Sequence, residues 1–162
     1  MALWTFRASI VPAEALGDCR QLTESQFDDL YPRFWEKRDG EDAARELLAL
    51  FPPLEPWDPR LTLVGVEGSD RIEVWREAGR VTSMTLKVDC RALNIRFVDA
   101  VEAIGVKHRL LFIYDRTFEV CVPKVGALRS FVFSSASRRA LKDPQIWIPH
   151  LAAEVKKREE NG

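Results

Sequence analysis

Between Leu61 and Val88 the chain repeats one pattern three times, a run of alternating apolar and polar residues, with a glycine-containing turn between each run and the next. The runs are LTLVGVE, RIEVWRE and RVTSMTLKV, and EGSD and EAG separate them. A two-residue period places alternate side chains on opposite faces of a strand. Turns this short join antiparallel neighbours, because a parallel connection needs a crossover of a dozen residues or more. The segment therefore predicts an antiparallel meander, and no other stretch constrains the fold as strongly. On its third strand Met84, Leu86 and Val88 share the packed side, and Ser83, Thr85, Lys87 and Asp89 share the wetter one.

The flanking patterns extend this frame. Leu3 to Val11 alternates and stops at Pro12, which predicts a first strand. Thr23 and Gln26 have capping-box spacing at the head of a helix, TESQFDDLYPRFWEKR, with Phe27, Leu30 and Phe34 as its inner stripe. Pro32 should kink or split that helix, and Asp39-Gly40 should end it. EDAARELLALF forms a second short helix, followed by PPLEPWDPR, a rigid connector whose Trp57 is expected to pack back on the core. After the meander, NIRFVDAVEAI reads as a helix with Asn94 as N-cap and Gly105 just past its end. A hairpin, HRLLFIY-DRT-FEVCVP, comes next. VGALRSFVFSSASRRALK and PQIWIPHLAAEVKKREENG then read as two closing helices.

The order is β-αα-βββ-α-ββ-αα. It predicts an α+β fold in one domain, 1–162, with a single mainly antiparallel sheet of five or six strands and helices chiefly on one face. A length of 162 residues and a 46% hydrophobic content supply one core of ordinary size.

Composition also excludes several functions. The net charge of −1 gives no global attraction to nucleic acid or to a membrane surface. No unbroken apolar run exceeds the five residues of LLFIY at 110–114, far short of a membrane span. Met1 to Leu16 lacks the basic and apolar regions of a secretory leader, so the expected location is cytoplasmic. Three cysteines without close pairs argue against a disulfide framework, and Cys90 and Cys121 sit in apolar strand contexts. His108 and His150 stand alone, and no zinc, calcium or phosphate-loop spacing occurs, so no metal or other cofactor is expected. Ser134, Ser135 and Ser137 lack a nucleophile-elbow context and read as small residues that admit a neighbouring element. The basic clusters Arg138-Arg139-Lys142 and Lys156-Lys157-Arg158 lie where they complement helix C-termini.

Two places retain functional interest. The first is KVDCRAL, where an acid, a thiol and a guanidinium are adjacent. The strand period sends Cys90 to the core and puts Asp89 and Arg91 together on the other face, where they read as a polar anchor. The second is the acidic half. Residues 14–58 carry twelve acids against five bases, while 59–162 carry thirteen acids against eighteen bases. Asp28, Asp29, Asp39, Glu41 and Asp42, with Tyr31 and Trp35 beside them and Trp57 beyond, form the candidate surface for a basic protein partner. No catalytic residue is assigned.

The strand WTFRA, the meander end VTSMTLKVDCR and the late segment LRSFVFSSASRRALKDPQIW together resemble small bacterial cytoplasmic proteins, among them the immunity proteins of polymorphic and type VI secreted toxins. The resemblance implies a stoichiometric inhibitor that binds a cognate toxin, such as a basic nuclease, one to one. It implies no cofactor and no catalytic residue. Two other readings stay open: an enzyme with a site assembled around Asp89 and Arg91, and an adaptor or self-associating protein.

Overall fold

A computed structural model describes residues 4–146 together with 148, 149, 152, 153 and 156. Seven strands form one sheet: β1 (Thr5–Pro12), β2 (Pro53–Leu54), β3 (Leu61–Gly65), β4 (Arg71–Glu77), β5 (Arg80–Asp89), β6 (Leu110–Tyr114) and β7 (Val120–Cys121). Their spatial order is β2-β3-β4-β5-β1-β6-β7, and every pairing is antiparallel. The expected count of five or six strands is corrected to seven. The additional strand is β2, two residues inside the proline-rich connector. Pro53 has no N–H to give, so this segment can serve only as an edge, where it pairs with Val64 and Leu63.

The meander holds as β3-β4-β5. The first strand does not lie beside it at an edge but in the middle of the sheet, between β5 and β6. Six consecutive β1 residues register with β5, from Thr5↔Asp89 to Ile10↔Met84. A central strand is paired along both edges, and Ala8 to Val11 are all buried.

Five helices carry full boundaries: α1 (Glu24–Leu30), α2 (Glu41–Leu48), α3 (Ile95–Lys107), α4 (Ala127–Ser134) and α5 (Ala136–Lys142). Thr23 makes a complete capping box. Its Oγ1 accepts from Gln26 N at 3.2 Å, and Gln26 Oε1 accepts from Thr23 N at 2.9 Å. Pro32 ends α1 early, as a 3-10 turn over Tyr31–Arg33, so the helix expected to reach Arg38 stops at Leu30. Asn94 caps α3 through Phe97 N, but Gly105 does not end it. The helix runs on to Lys107, and Gly105 sits where a Cβ would come within 2.9 Å of the Phe112 ring. Its small size permits the helix to approach β6. The segment expected as one helix over 125–142 breaks at Ser135, whose extended backbone separates α4 from α5 and whose Oγ accepts from Arg138 N. Of the final helix expected from Pro144, residues 147, 150, 151, 154, 155 and 157–162 lie outside the described residues, as does Leu3 of the first strand.

Register assigns the two sheet faces. Phe6, Ala8, Ile10, Ile72, Val74, Met84, Leu86, Val88, Phe112 and Tyr114 share the inner one. Helices α2 to α5 cover it. Trp35 and Met84 close on Gly40 at the head of α2, Phe112 meets Gly105 of α3, Phe131 of α4 packs edge-on to Phe6 and Tyr114, and Ser137 of α5 bonds Tyr114 Oη at 3.1 Å. Side chains such as Phe6, Leu47 and Leu86, with no exposure at all, each contribute about 2–5 kcal/mol against truncation to alanine. The opposite face carries Arg7, Ser9, Arg71, Glu73, Thr85 and Lys87 beside buried Val11, Leu63, Leu111 and Ile113, so a polar row lies within a mixed face.

Candidate functional site

The acidic residues named from the sequence do not form one free surface. Asp39 Oδ1 accepts from Glu41 N at 3.0 Å and stands as a local cap before α2. Glu41 makes a two-pronged bond to Arg76 of β4, at 2.8 and 3.0 Å, which ties the head of α2 to the sheet. Asp42 pairs with Arg45 one turn on, at 3.1 Å. Trp35 is only 3% exposed and donates from Nε1 to the Ile10 carbonyl at 3.2 Å. It belongs to the core, which withdraws it from the candidate contact residues. Asp28 and Asp29 differ from these. Both are exposed in the last turn of α1, and among the described residues neither has an ion-pair partner. Negative charge at a helix C-terminus opposes the helix dipole, so nothing local favours them there. Tyr31 follows them half-buried, its ring against Phe27 and Phe34.

At the end of β5, Asp89 receives Arg91 Nε at 3.0 Å and Arg91 Nη2 at 2.7 Å, and also accepts from Arg91 N at 2.9 Å. These bonds to Arg91 hold the Asp89 carboxyl below its ordinary pKa. The Arg91 guanidinium lies 4.8 Å over the Trp4 ring. Asp70 reaches the same strand end and accepts from Asp89 N at 2.8 Å. Cys90 points the other way, fully buried, and burial pushes its thiol up to about 11. Arg138 donates to the Cys90 carbonyl. The three groups of KVDCRAL thus have separate surroundings.

The opposite face of the sheet holds an arrangement that no motif announced. Arg71, Lys87 and Arg7 lie directly across from one another on β4, β5 and β1. Like charges placed so are mutually unfavourable. Two carboxylates beside the row offset them. Glu73 Oε1 takes both Arg71 Nε at 2.8 Å and Lys87 Nζ at 2.6 Å, and Asp115 Oδ2 lies 3.0 Å from Arg7 Nε. Ser9 donates to Asp115 Oδ1 at 3.2 Å. Burial pushes the Asp115 carboxyl up to about 6 despite the attraction of Arg7, and burial lowers Lys87 despite its bond to Glu73. Arg71 also lies 5.5 Å from the centre of the Trp57 ring, which is 62% exposed. Trp57 therefore does not pack fully back on the core as expected. The individual alternations of β1 and β5 were readable in sequence. That these strands are neighbours, in this register, was not.

The remaining reactive groups have the following surroundings. Cys121 is pushed up to about 12 by burial. Ser137 Oγ donates to the Thr5 carbonyl at 2.9 Å and docks α5 on β1. His108 Nε2 lies 3.1 Å from Glu46 Oε1, which also takes Lys107 Nζ at 2.7 Å. Glu102 of α3 is buried and accepts from Gly126 N at 2.7 Å and from Leu128 N, capping α4 from a neighbouring helix. Among the described residues no group of three or more His, Cys, Asp or Glu is placed to hold a metal ion, and no helix is long and apolar enough to cross a membrane. Compared with protein-family models, curated proteins and solved structures, the chain matches none of them.

Proposed function

We propose that this chain is a non-catalytic binding protein that neutralises a cognate bacterial toxin in the cytoplasm by direct one-to-one binding, with α1 as the contact element. The observation that carries this reading is the state of Asp28 and Asp29, exposed, without an ion-pair partner among the described residues, and set against the local helix dipole. A basic surface on a partner supplies the counter-charge that the chain itself withholds. Long-range attraction of this kind acts mainly on the association rate and is screened by salt. Tyr31, half-buried one residue beyond α1, offers ring area next to those acids.

Co-expression with the product of the adjacent reading frame tests the proposal, scored by growth rescue and by co-purification. Both are expected, and failure of both removes the reading. Within such a complex, Asp28→Lys/Asp29→Lys is expected to slow association by about tenfold or more at low salt, with the difference shrinking as salt rises. An unchanged rate takes α1 out of the interface.

A further inference from the structure

We infer that the partly exposed row Arg7, Lys87 and Arg71, on the side of the sheet opposite α2 to α5, is a docking site for a carboxylate carried by an acidic segment of a protein partner. The site does not include α1 and stands on different observations. Three cations in direct cross-strand register, about 5 Å from strand to strand, are costly to keep together. The way they are held leaves their binding groups outward. Arg71 donates from Nε to Glu73 at 2.8 Å, and Arg7 Nε lies 3.0 Å from Asp115 Oδ2. Neither arginine donates a hydrogen bond from its Nη groups among the described residues. Those groups form the planar fork that recognises an oxyanion with two parallel bonds.

The charges are also layered. The Glu73 side chain is 4% exposed, whereas those of Arg71 and Arg7 are 24% and 31% exposed. Glu73 lies beneath while the guanidinium groups face outward, so an approaching ligand meets cations first. A fork already fixed by a carboxylate behind it gives up little further freedom on binding.

The balance of charge selects the occupant. Arg7, Lys87 and Arg71 are offset by Glu73 and Asp115, leaving a net single positive charge. That complements one carboxylate, whereas a phosphate dianion would meet two carboxylates already in place. Trp57, largely exposed and stacked on Arg71, borders the row, and an exposed indole beside arginine is the composition of a protein-binding hot spot.

The test titrates an octaglutamate peptide into the isotope-labelled full chain at low salt, following the Trp57 indole N–H and the amides of β1, β4 and β5 by NMR. Octalysine and inorganic phosphate are the comparison arms. Saturable shifts with octaglutamate alone are expected, centred on Arg7, Lys87 and Arg71. Arg71→Lys keeps the charge and loses the fork. Arg7→Gln/Asp115→Asn removes a fork together with its counter-charge, so the variant carries no orphaned acid. Each is expected to weaken the peptide by about fivefold or more. Asp28→Asn/Asp29→Asn is expected to bind it no more weakly than the parent chain, which separates this site from α1. The inference is overturned by the absence of saturable shifts, by both fork variants binding like the parent, or by phosphate producing the same shifts as the peptide.

Discussion

Lys87 and Glu73 face each other obliquely across the β4–β5 ladder, Nζ to Oε1 at 2.6 Å, and the same carboxylate oxygen also takes Arg71. One buried acid therefore makes it possible for two neighbouring cations to share a sheet face. Its loss and the loss of one cation are not equivalent. Glu73→Gln leaves Arg71, Lys87 and Arg7 in register with only Asp115 beside them, and is expected to destabilise by about 2–4 kcal/mol. Lys87→Met leaves Glu73 still paired with Arg71 and relieves one repulsion, and is expected to cost less than about 1.5 kcal/mol. Urea unfolding of the two variants checks the ranking, and equal losses would show that Glu73 does not serve both cations.

Stability should depend on pH through Asp115. Its folded-state pKa is raised to about 6, with burial the leading cause. A raised carboxyl binds a proton in the folded chain at pH values where the unfolded chain has already released it. Folding therefore weakens as pH rises from about 4 to about 6, by up to roughly 3 kcal/mol, and the loss is complete above that window. Asp115→Asn should flatten this slope. Unfolding curves at pH 4.5 and pH 7.5 make the comparison, and an identical pH dependence in both proteins would contradict it.

Asp89 should act with the opposite sign. Its pKa is lowered, chiefly by Arg91, so its contribution is present at neutral pH and disappears as pH falls below the ordinary carboxylate value. Arg91→Met removes the guanidinium from both Asp89 and Trp4, and is expected to lower the melting temperature at pH 7 and to leave it nearly unchanged at pH 2.5. A difference that persists in acid would assign the effect to the Trp4 contact.

Thiol chemistry should single out Cys19. Cys90 and Cys121 are buried with pKa values pushed up to about 11 and about 12, while Cys19 is partly exposed. At pH 8 a disulfide reagent such as Ellman's is expected to modify Cys19 promptly in the folded chain and all three thiols only after denaturation. Rapid reaction at Cys90 would mean that the strand end opens.

Glu102 is a cap supplied by another helix, since it accepts from Gly126 N and Leu128 N at the head of α4. Glu102→Ala leaves two backbone donors without partners in a buried place, and is expected to cost about 2–3 kcal/mol. Hydrogen exchange should show faster opening of α4 than of α3. Equal protection would deny the cap its role.

Signals close together in the chain were legible. The Gly turns and alternation of Leu61 to Val88 determined three antiparallel strands, Thr23 with Gln26 determined a capping box, and Asn94 determined where α3 starts. Each depends on interactions a few residues apart, which local sequence encodes directly. The same locality set Asp89 and Arg91 within reach of each other, although Arg91 lies in the turn beyond β5 and not on the sheet face expected for it. Gly105 misled because a helix-ending glycine and a glycine that admits an aromatic ring look alike until Phe112 is in place. Trp35 misled because its acidic neighbours are exposed while its own ring turns inward onto Met84.

What only the tertiary structure decided is where the first strand goes. Nothing near Thr5–Pro12 states that it will enter the sheet between β5 and β6, a partnership spanning some 80 to 100 residues of chain. That insertion sets Arg7 beside Lys87, and β4 sets Arg71 on its other flank. Alternation by itself determined which side of its own strand each cation occupies. Long-range pairing, driven by burial of the shared apolar face, determined that the three cations stand in one row.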